Sequence, residues 1–154
     1  TGHLVISTLH TNDSVSTISR LGYMGVEPYL IAASINLLMA QRLVRRICTS
    51  CRVEDRQGLD LLKRAMPAEA AGKTLYRGSG CPDCEHTGYY GRVAVYEVFP
   101  ITPEVRQMIV EGRTEDEIRS HARRAGLTTL REAALEKALQ GITTVEEALA
   151  STLA

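Results

Sequence analysis

Apolar positions fall along this chain in two rhythms, one of strands and one of helices. Leu4-Val5-Ile6-Ser7-Thr8-Leu9 is a short β-branched, apolar run that predicts a buried strand. It leads into His10-Thr11-Asn12-Asp13-Ser14, a polar cluster with several side chains able to cap a helix. Val15, Ile18 and Leu21 follow at helical spacing, and Gly22 reads as the stop. Pro28 suits the first turn of a second helix. Its apolar positions run through Leu30, Ile31, Ala33, Ile35, Leu37 and Leu38 to Leu43-Val44, covering most of the circumference, which predicts a helix buried on several sides.

From Val53 to Gly80 the pattern is mixed. Leu59, Leu62 and Met66 mark a short amphipathic helix, Pro67 and an Ala/Gly stretch follow, and Thr74-Leu75-Tyr76 can form a strand. The glycine-rich turn Thr87-Gly88-Tyr89-Tyr90-Gly91 precedes Arg92 to Phe99, whose alternation and Val/Tyr content predict a strand. Everything after Pro103 reads as helical. Pro103 opens one helix, Thr114-Glu115-Asp116-Glu117 forms a capping box for a second that ends at Gly126, and Thr128 or Thr129 caps a third that ends at Gly141. Thr144-Val145-Glu146-Glu147 is a further capping box, for a last short helix.

Composition narrows this picture without changing it. The 154 residues carry 18 basic and 18 acidic side chains, a balance that argues against nucleic-acid binding by bulk charge. Apolar residues make up 44% and aromatics 5%, with no Trp and a single Phe, so Leu, Ile, Val and Ala must fill the core. No apolar stretch approaches the about 18 residues of a membrane span. The sequence opens on Thr1-Gly2-His3 without an initiating Met or a signal-peptide pattern, and the expectation is a piece of a longer protein.

Four cysteines stand in two pairs, Cys48-x-x-Cys51 and Cys81-x-x-Cys84, separated by 29 residues. A two-residue spacer lets both sulfurs of a pair approach one ion, and two such pairs complete a tetrahedron around Zn²⁺. The separation exceeds the familiar zinc-ribbon spacing, but the intervening residues can form a helix and strand of their own. Two disulfides would need an oxidising compartment, and nothing in the sequence marks export. A closed four-sulfur site is structural, with no open coordination position for catalysis. Arg45, Arg46 and Arg52 flank the first pair and can offset the charge of four thiolates on one ion.

The polar cluster at His10 is the second candidate. It lies at the end of the first predicted strand, where open α/β sheets gather their ligands, and a histidine there can donate to a phosphate oxygen. The alternative is that His10 and Asn12 cap the following helix. His3, ahead of the strand, reads as structural.

These residues together resemble the secretion ATPases that power type II secretion and type IV pilus assembly. Thr1-Gly2-His3-Leu4-Val5 with Ser7-Thr8-Leu9-His10-Thr11-Asn12-Asp13 is similar to the family's His box. Ala40-Gln41-Arg42-Leu43-Val44-Arg45, the tetracysteine motif, Gly80 to Arg92 and the ending Gly141-Ile142-Thr143-Thr144-Val145-Glu146-Glu147 match in the same order, so the resemblance covers almost the whole chain. The tetracysteine module looks like that of the secretion and pilus-extension branch.

The resemblance implies a RecA-like P-loop ATPase, an α/β fold, forming a homo-hexamer at the cytoplasmic face of the inner membrane. There it would move inner-membrane platform proteins that assemble pilin-like subunits. On that reading residues 1–47 are the C-terminal part of the RecA-like core, 48–91 the inserted tetracysteine zinc module, 92–102 a returning core strand and 103–154 a helical subdomain. Zn²⁺ on Cys48, Cys51, Cys81 and Cys84 is structural, whereas ATP and Mg²⁺ belong to the full-length protein. His10 corresponds to the residue that faces the nucleotide's γ-phosphate, with Thr11 and Asn12 shaping that end of the site. Arg42 and Arg45 are left either at a subunit interface or beside the thiolates.

No G-x-x-x-x-G-K-S/T motif is present; Gly72-Lys73-Thr74 shares three letters with its end but lacks the preceding glycine. The isolated chain is therefore expected not to hydrolyse ATP. Two other readings are a zinc-ribbon module for nucleic acid, which balanced charge and few aromatics count against, and a partner-docking piece.

Overall fold

A computed structural model of the chain describes residues 3–152. It is a mixed α/β structure with two compact units, each drawn from two separate stretches: Thr1–Ala40 with Glu97–Leu127, and Gln41–Tyr96 with Thr128–Ala154.

The first unit is mainly helical. It holds α1 (Ser16–Tyr23), α2 (Pro28–Ser34), α5 (Pro103–Val110) and α6 (Glu115–Arg124), with the near ends of two long strands, β1 (Leu37–Ile47) and β4 (Tyr89–Pro100). Val15 and Ile18 of the α1 segment, Ile31 and Ala32 of α2, Leu38, Phe99, Val105, Ile109 and Ile118 form one buried cluster. Aliphatic side chains thus do fill this core, with Phe99 its single aromatic. The Thr114–Glu117 capping box predicted for α6 is present, each side chain bonding the other residue's backbone N–H. Helix α1 runs past the predicted stop: Gly22 lies inside it, it ends at Tyr23, and Gly25, at φ +86°, supplies the left-handed turn.

Two sequence expectations are corrected here. The predicted strand Leu4–Leu9 is not a strand. The segment has no regular structure, and Leu4, Val5 and Ile6 are all at least 80% exposed. A strand exists through the ladder it joins, and among the described residues the strands pair only β1 with β4 and Arg52–Glu54 with Tyr76–Gly78. The second correction is the long helix from Pro28 to Val44, which ends at Ser34. Arg106 of α5 donates to the Ala32 carbonyl and, at 3.0 Å, to Asn36 Oδ1, so it occupies the acceptors at the helix's C-terminal end. From Leu37 the chain is β1, with Leu38 and Val44 buried and Leu37, Met39 and Leu43 exposed. A continuous apolar run fits a helix and a strand equally well by periodicity, and the pairing with β4 decides it.

In the second unit, the remainder of β1 and β4 accompanies β2 (Arg52–Glu54), α3 (Arg56–Ala65), α4 (Pro67–Ala70), β3 (Tyr76–Gly78), α7 (Leu130–Leu139) and α8 (Val145–Ser151). Helix α8 packs on both α7 and α3. Thr129 and Glu132 form a capping box for α7, resolving the choice between Thr128 and Thr129. At α8 the expected box is only half made. Thr144 accepts from the Glu147 N–H, but the Glu147 carboxylate turns to Arg45, accepting from its backbone N–H at 3.0 Å and from its guanidinium at 2.6 and 2.9 Å. The same guanidinium lies 4.1 Å from the centre of the Tyr89 ring, whose hydroxyl meets Thr144 Oγ1 at 2.8 Å. Arg45 therefore joins β1 to α8.

Burial opposes ionisation of Glu147, yet the bonds from Arg45 hold its carboxyl below the ordinary glutamate range. A carboxyl whose folded pKa is depressed contributes its stability above the unfolded pKa and loses it as pH falls through the folded value. Denaturant titrations from pH 7 to pH 3 should therefore show the advantage of the wild-type chain over Glu147→Gln shrinking below about pH 4, near the unfolded glutamate pKa. At pH 7 the difference should be on the order of 1–2 kcal/mol, kept modest because half of Arg45 meets solvent.

Candidate metal centre and the histidine segment

The two cysteine pairs meet because the excursion between them is closed by an antiparallel ladder. Strands β2 and β3 pair Arg52 with Gly78, Val53 with Arg77 and Glu54 with Tyr76. The pairing extends inward, Asp55 N–H to the Leu75 carbonyl, and outward, Ser79 N–H to the Cys51 carbonyl, both at 2.9 Å. The last bond sets Cys51 beside the start of the second pair. On the other side, Cys48 N–H donates to the Gly88 carbonyl at 3.0 Å. Gly78 and Gly88 pass so closely that a Cβ on Gly78 would collide with the Gly88 carbonyl, and one on Gly88 would lie 2.7 Å from the Gly78 oxygen. Gly88 also has φ +77°, so glycine is required there twice over.

The result is a cluster of four sulfurs, all within 4.8 Å of one another. The Sγ separations are 3.8 Å for Cys48 and Cys81, 3.9 Å for Cys51 and Cys84, and 3.7 Å for Cys81 and Cys84. All four are free thiols, and these distances are far beyond the roughly 2.05 Å of a disulfide. They match instead the edge of a tetrahedron with metal–sulfur bonds of about 2.3 Å, which is about 3.8 Å. The sulfurs also receive backbone donors. Gly80 N–H points to Cys51 Sγ, and the N–H groups of Cys81 and Gly88 point to Cys84 Sγ, each at 3.3 Å. Such N–H dipoles offset the negative charge of sulfurs on an ion and orient them.

The charge state of the cluster follows from the same contacts. Burial alone would raise the Cys84 thiol, but the N–H donors of Cys81 and Gly88 bring it down to about 6, while burial and the neighbouring thiols push Cys81 up to about 12. Cys84 is thus the sulfur that most readily carries a negative charge, with backbone N–H groups to meet it. Of the predicted flanking arginines, Arg52 lies 3.8 Å over the Tyr76 ring. The donors that reach the sulfurs are backbone N–H groups.

His10 lies elsewhere, in the first unit, in the segment that enters α1. It is exposed, as is Asn12, and no hydrogen bond or ion pair of the described residues involves its imidazole. What is fixed is the backbone that follows. Thr11 Oγ1 donates to the Asp13 carbonyl at 3.0 Å and lies 3.1 Å from Thr17 Oγ1, and Asp13 Oδ1 accepts from Ser16 N–H at 2.8 Å. Asp13 Oδ2 pairs with Arg119 of α6 at 2.9 Å, and Glu97 of β4 accepts from both the N–H, at 2.8 Å, and the hydroxyl of Ser14. Glu97 and Arg119 escape a motif-based reading. The available signal for Glu97 is a carboxylate at the buried phase of a strand, between Val95 and Phe99, where it is 2% exposed. Arg119 carries no signal, since a helix face rich in charge is ordinarily solvated.

A family model described as type II/IV secretion system protein matches residues 1–150. The chain belongs to that family. It is 51% identical to the type IV pilus assembly ATPase PilB of Thermus thermophilus over 99% of the chain and 17% of that protein. It is 44% identical to PilB of Myxococcus xanthus and 45% identical to the type II secretion system protein HxcR of Pseudomonas aeruginosa. Each match covers 99% of the chain, but only 27% and 29% of the respective relative. The chain thus spans under a third of the length of these relatives.

The sulfur geometry makes a direct prediction. The purified chain should hold one thiophilic divalent ion, measurable by elemental analysis, and Cys48→Ser or Cys81→Ser should lose most of it. Chelation should then speed amide exchange at Ser79, Cys48 and Gly88 well before it affects Ile118 in the other unit's core.

Proposed function

We propose that this chain is the C-terminal portion of a hexameric RecA-like ATPase that couples ATP hydrolysis to pilus or pseudopilus assembly and protein secretion. The observation that carries the reading is the family match over residues 1–150, shared with relatives named as pilus assembly ATPases and secretion proteins. On this reading the protein works in the cytoplasm, peripheral to the inner membrane, against platform proteins there. No described helix is long and apolar enough to cross a membrane.

The tetracysteine cluster holds Zn²⁺ in a structural role. Four sulfurs at tetrahedral separations suit Zn²⁺, saturate its coordination and leave no position for a reacting water. The same soft donors do not suit Mg²⁺, which takes oxygen ligands. No other group of three or more His, Cys, Asp or Glu side chains close enough to hold an ion is found among the described residues. On this reading the Mg²⁺ and the phosphate cradle of the active enzyme are supplied by other parts of the full-length protein.

His10 is this chain's contribution to the nucleotide site. Its exposed imidazole, on a backbone fixed from Thr11 to Ser14, can donate a hydrogen bond to a γ-phosphate oxygen, where negative charge is redistributed during transfer. Thr11 and Asn12 border that end of the site.

In the full-length protein, His10→Ala should retain nucleotide binding within a few-fold while turnover falls roughly 100-fold, the range for removal of one oriented donor. Wild-type turnover in that variant would refute the assignment. The chain alone should show no ATP hydrolysis in a phosphate-release assay.

A further inference from the structure

Among the described residues the His10 imidazole has no hydrogen-bond or ion-pair partner, so its position is set by the segment that follows it, and two residues distant in sequence hold that segment. Glu97 grips Ser14 from β4, 83 positions away, through both the backbone N–H and the hydroxyl. Arg119 grips Asp13 from α6 at 2.9 Å, and its second amino group holds Glu115 at 2.6 Å. Glu115 in turn accepts from Ser19 of α1 at 2.7 Å. Asp13, Arg119, Glu115 and Ser19 thus form a continuous polar chain between the two ends of the α1 entry and one face of α6. The Glu97 contact is buried, whereas Asp13 and Arg119 are 21% and 34% exposed, so the second grip is the more easily altered of the two.

We propose that Arg119 is a positioning residue for nucleotide turnover, holding Asp13 and through it the His10–Asn12 segment, with Glu97 as the fixed anchor on the other side. The proposal rests on the reading of His10 as a phosphate-facing residue. A guanidinium suits this task because its planar fork presents separate N–H groups to two carboxylates in one fixed geometry, whereas a lysine offers a single rotatable ammonium. It also makes the approach of His10 to a phosphate depend on α6, a helix that contributes no side chain to that approach. A displacement of about 1 Å at a reacting centre is enough to cost up to 10²-fold in rate.

The test is steady-state ATP turnover in the full-length protein, with amide hydrogen exchange as a second readout. Arg119→Gln should lower kcat about ten-fold with KM changed less than two-fold, and should speed exchange at Ser16 and Ile18 while leaving the melting temperature of the core close to wild type. Arg119→Lys, which keeps the charge toward Asp13, should recover part of the loss. In a His10→Ala background, Arg119→Gln should cost nothing further, because the residue it positions is gone. A neutral Arg119→Gln beside a disabled His10→Ala overturns the positioning role alone. A full ten-fold loss repeated on the His10→Ala background also overturns it, since Arg119 would then act independently. Wild-type turnover in His10→Ala instead overturns the underlying assignment of His10, and the proposal with it.

Discussion

Four sulfur atoms brought to within one coordination sphere constrain everything between Ile47 and Tyr89. Such an arrangement of four sulfurs requires the backbone on both sides of the excursion to be held, and N–H groups point at two of the sulfurs. The chain reaches it by spending backbone hydrogen bonds on closure: the β2–β3 ladder on one side, the Cys48–Gly88 bond on the other, and a glycine–glycine crossing where no side chain fits. A divalent cation bound there would offset the negative charge on the sulfurs and couple the folding of the module to metal.

How much of this was legible in the sequence depends on whether the signal was local. Capping boxes at Thr114 and the cap at Thr144 involve residues three apart, and the sequence shows them directly. The cysteine cluster was equally legible, since the two-residue spacers carry the geometry. The β1 strand was not. Leu37 to Val44 is apolar enough to satisfy either periodicity, and only its partner β4 and the arginine that closes α2 settle the matter. The Leu4–Leu9 segment fails for the mirror reason: its β-branched composition is a disposition, and a strand needs a neighbour to express it. Glu147 shows the same limit on a smaller scale, because its sequence position announces a cap while its carboxylate finds a better partner 102 residues away.

The first unit follows a different logic. Its core is ordinary aliphatic packing, but its most consequential contacts are polar and long-range, linking the entry of α1 to β4 and to α6. No spacing rule finds such contacts. Glu97 can be picked out afterwards as a charge at a buried strand phase, whereas Arg119 is indistinguishable in sequence from any solvated arginine on a helix. The candidate residue His10 was legible and its supports were not, which is the usual division when a side chain acts at the surface of a scaffold built elsewhere in the chain.

The glycine crossing at Gly78 and Gly88 has one more consequence. Since closure of the excursion is achieved at its base, the length of the path between the cysteine pairs is not what brings them together. Lengthening a closed loop adds only a slowly growing entropic cost. The exposed turn at residues 71–73, which lies outside the β2–β3 ladder, is therefore a permissive point for insertion. A peptide tag or small reporter placed there would leave the sulfur geometry untouched, and the module could be elaborated at its tip without being rebuilt at its root.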